Sequence, residues 1–261
     1  MKVVILCGGF GTRIRDVADD VPKPMIPVGG LPILWHIMKY FAYFGHTEFI
    51  LCLGYKGGII KDFFLNYQAM TSDFTITLGE HGVVQYHGDH DESGWRVTLV
   101  DTGLNAMTGA RVKRVQKYLK GDDNFLLTYG DGVGNVNIHR LLDFHAKHRR
   151  ILTVTGVRPP GRFGEIVGNS DGVVTEFNEK PQSAGGCISG GFFVCQTKLF
   201  DYLEDREDLI FEVDPMRRLV LERQLMVYEH DEFWQPMDTY RDYALLNSLY
   251  ENGSAPWKVW S

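Results

Sequence analysis

An apolar run from Lys2 to Cys7 (KVVILC) stops abruptly on Gly8 and Gly9. A run so short and so apolar reads as a strand buried on both faces, and the glycines read as the turn that ends it. The pattern then repeats. Ile33, Leu34, Ile37, Met38 and Phe41 recur at helical spacing within 31–44, with Pro32 suited to the first turn. EFILCLG (48–54) reads as a second buried strand, and residues 56–68 and 112–119 as helices. NFLLTYGD (124–131) reads as a strand that stops at Gly130, followed by a helix over 137–148 and a strand over 151–157. Strands alternating with helices in this way predict a parallel sheet with crossover helices.

Beyond residue 157 the pattern becomes mixed. Short strands are expected at 163–167, 172–178 and 187–195, helical stretches near 197–204 and 212–222, and a long helix over 239–252 before a Trp/Pro tail. With 261 residues and no repeat or Gly/Ser linker, one α/β domain is a simpler reading than two tethered ones. The four cysteines (Cys7, Cys52, Cys187, Cys195) show no CxxC spacing and read as reduced thiols, three of them in apolar runs. Lysine and arginine number 27 against 33 aspartate and glutamate, a net charge of −6, which argues against broad capture of nucleic acid or anionic membrane. No apolar run nears the roughly 20 residues of a membrane span, and the opening run is too short for a signal peptide. A cytoplasmic protein is expected.

The chemistry concentrates around glycines. In LCGGFGTR (6–13), Gly8, Gly9 and Gly11 let backbone N–H groups approach an anion, with Thr12 and Arg13 as further donors. The dinucleotide fingerprint fails because Ile14 stands where a third glycine is needed, and no Gly-Lys-Ser/Thr of a Walker A loop follows. VPKPM (21–25) holds Lys23 between two prolines that stiffen its backbone, which suits an ammonium fixed beside a phosphate under attack. Asp131, at the end of a predicted buried strand and flanked by Gly130 and Gly132, is either a turn residue or a cation ligand at the edge where open α/β sheets bind. Asp238 in QPMDT precedes the last helix and reads equally as a cap. Arg111, after TGA, is expected to open a helix whose N-terminus favours phosphate. Glu179 and Lys180 are either an exposed ion pair or a sugar-phosphate contact. HGDHDE (87–92) reads as a polar loop between strands, and His145 and His148 as a solvated helix face.

Leu6 to Arg13 with Lys23-Pro24-Met25 resembles the sugar-1-phosphate nucleotidylyltransferases. GGLPILWHIMK (29–39), GYKG (54–57), VTLVDTG (97–103), MTGARVKRV (107–115), TYGDGV (128–133), PPGRFG (159–164), EKP (179–181), GGFFV (190–194), FWQPMDT (233–239) and APWKVW (255–260) extend the likeness end to end, toward the glucose-1-phosphate cytidylyltransferases. The resemblance implies a single Rossmann-like (GT-A-like) α/β domain with a central mixed, mostly parallel sheet flanked by helices. Residues 1–135 would form its nucleotide-binding half and 136–261 its sugar-phosphate half, C-terminal helix and tail. It implies cytidylyl transfer from CTP to glucose 1-phosphate, aided by Mg²⁺. Leu6, Cys7, Gly8, Gly9, Phe10, Gly11, Thr12, Arg13, Lys23, Arg111 and Gly130 would meet the nucleotide, Lys23 and Arg13 as catalytic groups. Glu179, Lys180 and Gly190 would hold the sugar phosphate, and Asp131 and Asp238 the metal. A homo-oligomer with neither nucleic-acid nor membrane partner is implied, leading to deoxysugars for surface polysaccharide. Ser189 in place of asparagine and Ala106 in place of a polar residue depart from the pattern, so another nucleotide or sugar remains open. So do the more distant alternatives of a glycosyltransferase and a non-catalytic sensor.

Overall fold

The computed structural model describes residues 1–11, 14, 20–79, 83–88, 90–158, 165–168, 174–178 and 186–260. In chain order, β1 (Lys2–Leu6) is followed by the short pair β2 (Pro27–Val28) and β3 (Leu31–Pro32), α1 (Ile33–Tyr43), β4 (Glu48–Leu53), α2 (Gly57–Leu65) and α3 (Tyr67–Thr71). Next come β5 (Asp73–Thr77), β6 (Val83–His87), β7 (Arg96–Asp101), α4 (Thr108–Arg114), β8 (Asn124–Tyr129), β9 (Gly132–Gly134), α5 (Ile138–His148) and β10 (Leu152–Val157). The chain continues through β11 (Glu165–Gly168), β12 (Val174–Asn178), β13 (Ile188–Ser189), β14 (Phe193–Gln196), α6 (Asp214–Leu221), β15 (Leu225–His230), β16 (Trp234–Pro236) and α7 (Tyr240–Glu251).

Eight of these strands form the central sheet, in the order β15-β10-β14-β8-β1-β4-β7, with β13 pairing the far end of the same β10 edge as β14. β8, β1, β4 and β7 run parallel, as the alternation of strands and helices predicts. The parallel run stops at β14, which pairs antiparallel with both β8 and β10. The single strand expected over 187–195 is broken because Gly191 (φ +74) and Phe192 (φ 48) both take left-handed backbone. Beyond the expectation that strands flank the 87–92 loop, the sequence reading assigns no ranges to β5, β6, β7 or β15; their alternating or half-polar residues give a weaker signal than the buried runs of β1, β4 and β8. The helix expected over 112–119 instead begins at Thr108, ends at Arg114 and continues as a 3₁₀ turn.

Two apolar layers sandwich the sheet. Val3 and Ile5 face one layer with α1, Phe41, Val136 and Trp257, while Val4 and Leu6 face the other with Val112, Phe125, Phe200 and Leu219. Both faces of β1 are therefore buried, which explains its unbroken apolar run. Trp257 is 1% exposed and stacks on Phe233, so the C-terminal tryptophan motif closes the core. Cys7, Cys52 and Cys195 are buried free thiols, whereas Cys187 is exposed. His145 and His148 are not a solvated pair: both ring nitrogens reach the Thr153 hydroxyl on β10, at 2.8 and 2.7 Å, because the C-terminal turn of α5 packs onto the sheet. The 87–92 segment does link two strands, β6 and β7. Among the described residues no helix is long and apolar enough to cross a membrane.

Candidate active site

The C-terminal ends of β1, β4, β7 and β8 converge on one side of the sheet, and a cavity of about 380 Å³ opens there. Leu6 to Gly11, Lys23, Arg111, Gly130, Asp131 and Asp238 all line it, so residues drawn from five separate sequence motifs meet in one place. Thr12, Arg13, Glu179 and Lys180 lie outside the described residues.

The glycine turn is held from beneath. Arg111 is 4% exposed, and its guanidinium donates to the carbonyls of Leu53 (2.9 Å), Gly103 (2.8 Å), Gly8 (3.0 Å) and Leu104 (3.2 Å) and to the Thr102 hydroxyl (2.8 Å). It thus ties the ends of β1, β4 and β7 into one rim. A Cβ on Gly8 would sit 2.2 Å from Arg111 Cζ, which is why the turn needs glycine there. Burial pushes the pKa of Arg111 down, and the surrounding oxygens supply the hydration it gives up. The position differs from the sequence expectation: Arg111 is the fourth residue of α4, not its opening. The N-terminal amides of α4 are also already taken, since the Met107 N–H donates to Glu207 O and that of Gly109 to Leu209 O.

Lys23 sits in a 3₁₀ turn with Pro24 at its second position, and its side chain is only 12% exposed. Its Nζ donates to Asp131 Oδ2 at 2.7 Å and Asp238 Oδ1 at 2.5 Å. Burial by itself would lower the ammonium's pKa, but the two carboxylates outweigh it and hold Lys23 above its ordinary value. The carboxylates meet because β9 pairs antiparallel with β16, setting Gly132 opposite Pro236, and the Met237 N–H donates to Asp131 O at 2.8 Å. Asp238 is not the cap of α7. Thr239 caps it, accepting from the Asp242 N–H while Asp242 returns a bond to Thr239, and this leaves the Asp238 carboxylate for Lys23. Two carboxylates converging on a single cation are hard oxygen donors that suit a divalent metal sharing its remaining sites with phosphate and water. Among the described residues no larger cluster of His, Cys, Asp and Glu offers a competing metal site.

Gly130 closes the floor: its N–H donates to Leu6 O at 3.0 Å, and a Cβ there would meet that same oxygen at 2.9 Å. Gly190 is not brought to this cavity. Its N–H donates to Thr155 O and its carbonyl accepts from Trp234 Nε1, both internal contacts. Burial pushes the Cys7 thiol's pKa well up, leaving it neutral and apolar at the cavity wall. Sequence reasoning missed Asn105, Met107, Thr108 and Tyr129 in the lining. Tyr129 and Thr108 both donate to Glu212, at 2.5 and 2.6 Å, which joins β8 to the start of α4. Tyr129 adjoins Gly130 and could have been flagged from that, but nothing local marks Glu212.

The nucleotidyl transferase family model matches residues 2–253. A glucose-1-phosphate cytidylyltransferase of Salmonella typhimurium is 46% identical over 260 residues, covering 100% of both chains. A probable glucose-1-phosphate cytidylyltransferase of Bacillus subtilis is 43% identical at the same coverage. Among solved structures, HddC from Yersinia pseudotuberculosis superposes with a TM-score of 0.68 at 22% identity, covering 95% of this chain and 99% of that one, and so shares the fold. Given a family match across nearly the whole chain and a glycine turn, lysine and carboxylate pair gathered at one cavity, this chain belongs to the nucleotidyl transferase family.

Proposed function

We propose that the protein transfers a cytidylyl group from CTP to α-D-glucose 1-phosphate, giving CDP-glucose and pyrophosphate. The observation that carries this reading is the fixed Lys23 between Asp131 and Asp238 at the mouth of the glycine turn. The full-length likeness to two cytidylyltransferases supports the choice of base and sugar. A phosphate oxygen of the sugar phosphate forms the new bond to the α-phosphorus of CTP. The bond from that phosphorus to the β-phosphate bridging oxygen breaks, and pyrophosphate leaves with the electron pair. The attacking phosphate is already ionised, so no protein nucleophile or general base is required.

The protein's part is positioning and electrostatics. Backbone groups of Gly8 to Gly11, with Thr12 and Arg13, cradle the triphosphate, and Arg111 fixes that rim. Lys23 offers a desolvated positive charge to the reacting phosphates. Glu179 and Lys180 serve the sugar phosphate in the half comprising residues 136–261, while residues 1–135 serve the nucleotide. Asp131 and Asp238 would hold Mg²⁺, which when bound neutralises phosphate charge and aligns the reacting groups. We read the enzyme as a cytoplasmic homo-oligomer.

Pyrophosphate release with glucose 1-phosphate and Mg²⁺, offering CTP, UTP, dTTP and ATP separately, tests the proposal. Preference for CTP is the expected result. Preference for another nucleotide, or turnover only with another sugar phosphate, would overturn the specificity while keeping the chemistry.

A further inference from the structure

Most polar side chains on the wall of the nucleotide cavity are already engaged with the protein itself. Lys23 holds Asp131 and Asp238 at one end. Thr108 and Tyr129 direct their hydroxyls to Glu212, and the Arg111 guanidinium serves four carbonyls and the Thr102 hydroxyl. Asn105 is the exception. It is exposed and lines the cavity, and its side-chain amide has no hydrogen-bond partner among the described residues.

The backbone on either side of Asn105 is pinned. The Gly103 N–H donates to Asp101 Oδ1 at 3.0 Å, and the carbonyls of Gly103 and Leu104 accept from Arg111. Beyond Asn105, Ala106 is 4% exposed and the Met107 N–H donates to Glu207 O at 2.8 Å. An unengaged amide on a segment fixed at both ends is a preorganised ligand contact, because little backbone freedom remains to be lost on binding.

Its place along the cavity decides which part of a nucleotide it meets. At one end of the glycine turn, a Cβ on Gly11 would lie 3.2 Å from Lys23 Cβ, beside the carboxylate pair. At the other end, a Cβ on Gly8 would lie 2.2 Å from Arg111, whose guanidinium also holds Leu104 O. A nucleoside triphosphate with its phosphates at Lys23 therefore extends its base toward Asn105. Ala106 and Met107 line the cavity beside it and offer apolar contact to the faces of the ring, but neither side chain can pair with its edge.

We infer that the Asn105 side chain reads the edge of the cytosine base, its NH₂ donating to N3 and its carbonyl accepting from the 4-amino group. This rests on the cytidylyl reading above and names a residue that sets its specificity. An amide carries a donor and an acceptor side by side, and cytosine presents the complementary pair. Ala106, apolar where the family pattern is polar, leaves that contact to its neighbour.

Calorimetric titration of the full chain with Mg²⁺ and either CTP or inorganic tripolyphosphate tests it, comparing wild type with Asn105→Ala. The expected result is CTP binding weakened by about 10-fold, with tripolyphosphate binding unchanged. The triphosphate of pyrimidin-2-one riboside, which lacks the 4-amino group, should bind wild type more weakly than CTP and lose less from the substitution. Equal CTP affinity in wild type and variant overturns the proposal and leaves the cytidylyl reading standing. Parallel loss of CTP and tripolyphosphate binding also overturns it, since that places Asn105 on the phosphates. A wild type that binds CTP no more tightly than tripolyphosphate has no base contact here; the cytidylyl reading falls separately, only if CTP yields no pyrophosphate. Asn105 is exposed and unpartnered, so the variant should melt with wild type. Should it fail to fold, wild type alone decides, and equal affinity for CTP and the analogue refutes the contact.

Discussion

Replacing Gly8 with alanine should destabilise the protein through Arg111, before any nucleotide is bound. The added Cβ would lie 2.2 Å from Arg111 Cζ and Nη1, and ordinary contact begins near 3.4 Å, so the guanidinium must retreat by about 1.2 Å. Its bonds to Gly8, Leu53, Thr102 and Gly103 span 2.8–3.0 Å, and a shift of that size breaks those on the side it leaves. Losing two bonds to a buried charge, at about 1.5–3 kcal/mol each, gives a cost of about 3–6 kcal/mol. In a chain of this length that lowers Tm by about 10 °C. Gly9→Ala is the control, because a Cβ there meets nothing within 4 Å. Thermal melts by circular dichroism, without nucleotide, should separate the two variants clearly. Adding Gly8→Ala to Arg111→Met should cost far less than adding it to wild type, since the obstructing group is gone. Equal melting of Gly8→Ala and Gly9→Ala, or full additivity with Arg111→Met, would refute the argument.

Three further outcomes are expected. Lys23→Ala should lose about 10²–10³-fold in turnover while remaining folded, checked by steady-state pyrophosphate release; a variant that keeps most of its activity removes Lys23 from the chemistry. Thr239→Ala should cost about 1 kcal/mol in urea unfolding, as a lost cap, and should also lower turnover because Thr239 sets the start of α7 beside Asp238; unchanged turnover would separate the cap from the site. His36 is fully buried, its Nε2 bonded to Val28 O and its Nδ1 without a partner among the described residues, and burial lowers its pKa to about 4. The unfolded chain therefore binds more protons below the ordinary value of 6.5, so this stability is complete above about pH 6.5 and lost as pH falls through about 4. The loss is about 3 kcal/mol, and urea unfolding of His36→Phe should show a correspondingly flatter acid limb.

Much of the chain's first half was legible because its determinants are local. A strand buried on both faces must be an apolar run, and Gly8, Lys23 between prolines and Asp131 after β8 each carry their constraint within a few residues. Arg111 shows where local reading ends. Its sequence context suits a phosphate fork, but its donors go to carbonyls on three different strand ends, a result of sheet order rather than spacing. Glu212 is likewise unmarked along the chain and joins Tyr129 to Thr108 only because the 207–212 segment crosses α4.

The sequence by itself determined the alternation of strands and helices, the glycine turn at the first strand's end and the residue types able to meet a triphosphate. These follow from periodicity, backbone stereochemistry and charge, which act over a few residues. Tertiary structure alone decided that Thr239 caps α7 and Asp238 does not, and that Asp238 joins Asp131 on one ammonium. Each depends on register between segments far apart in the chain. Such register is fixed by burying two faces of one sheet at once, and no window of neighbouring residues contains it.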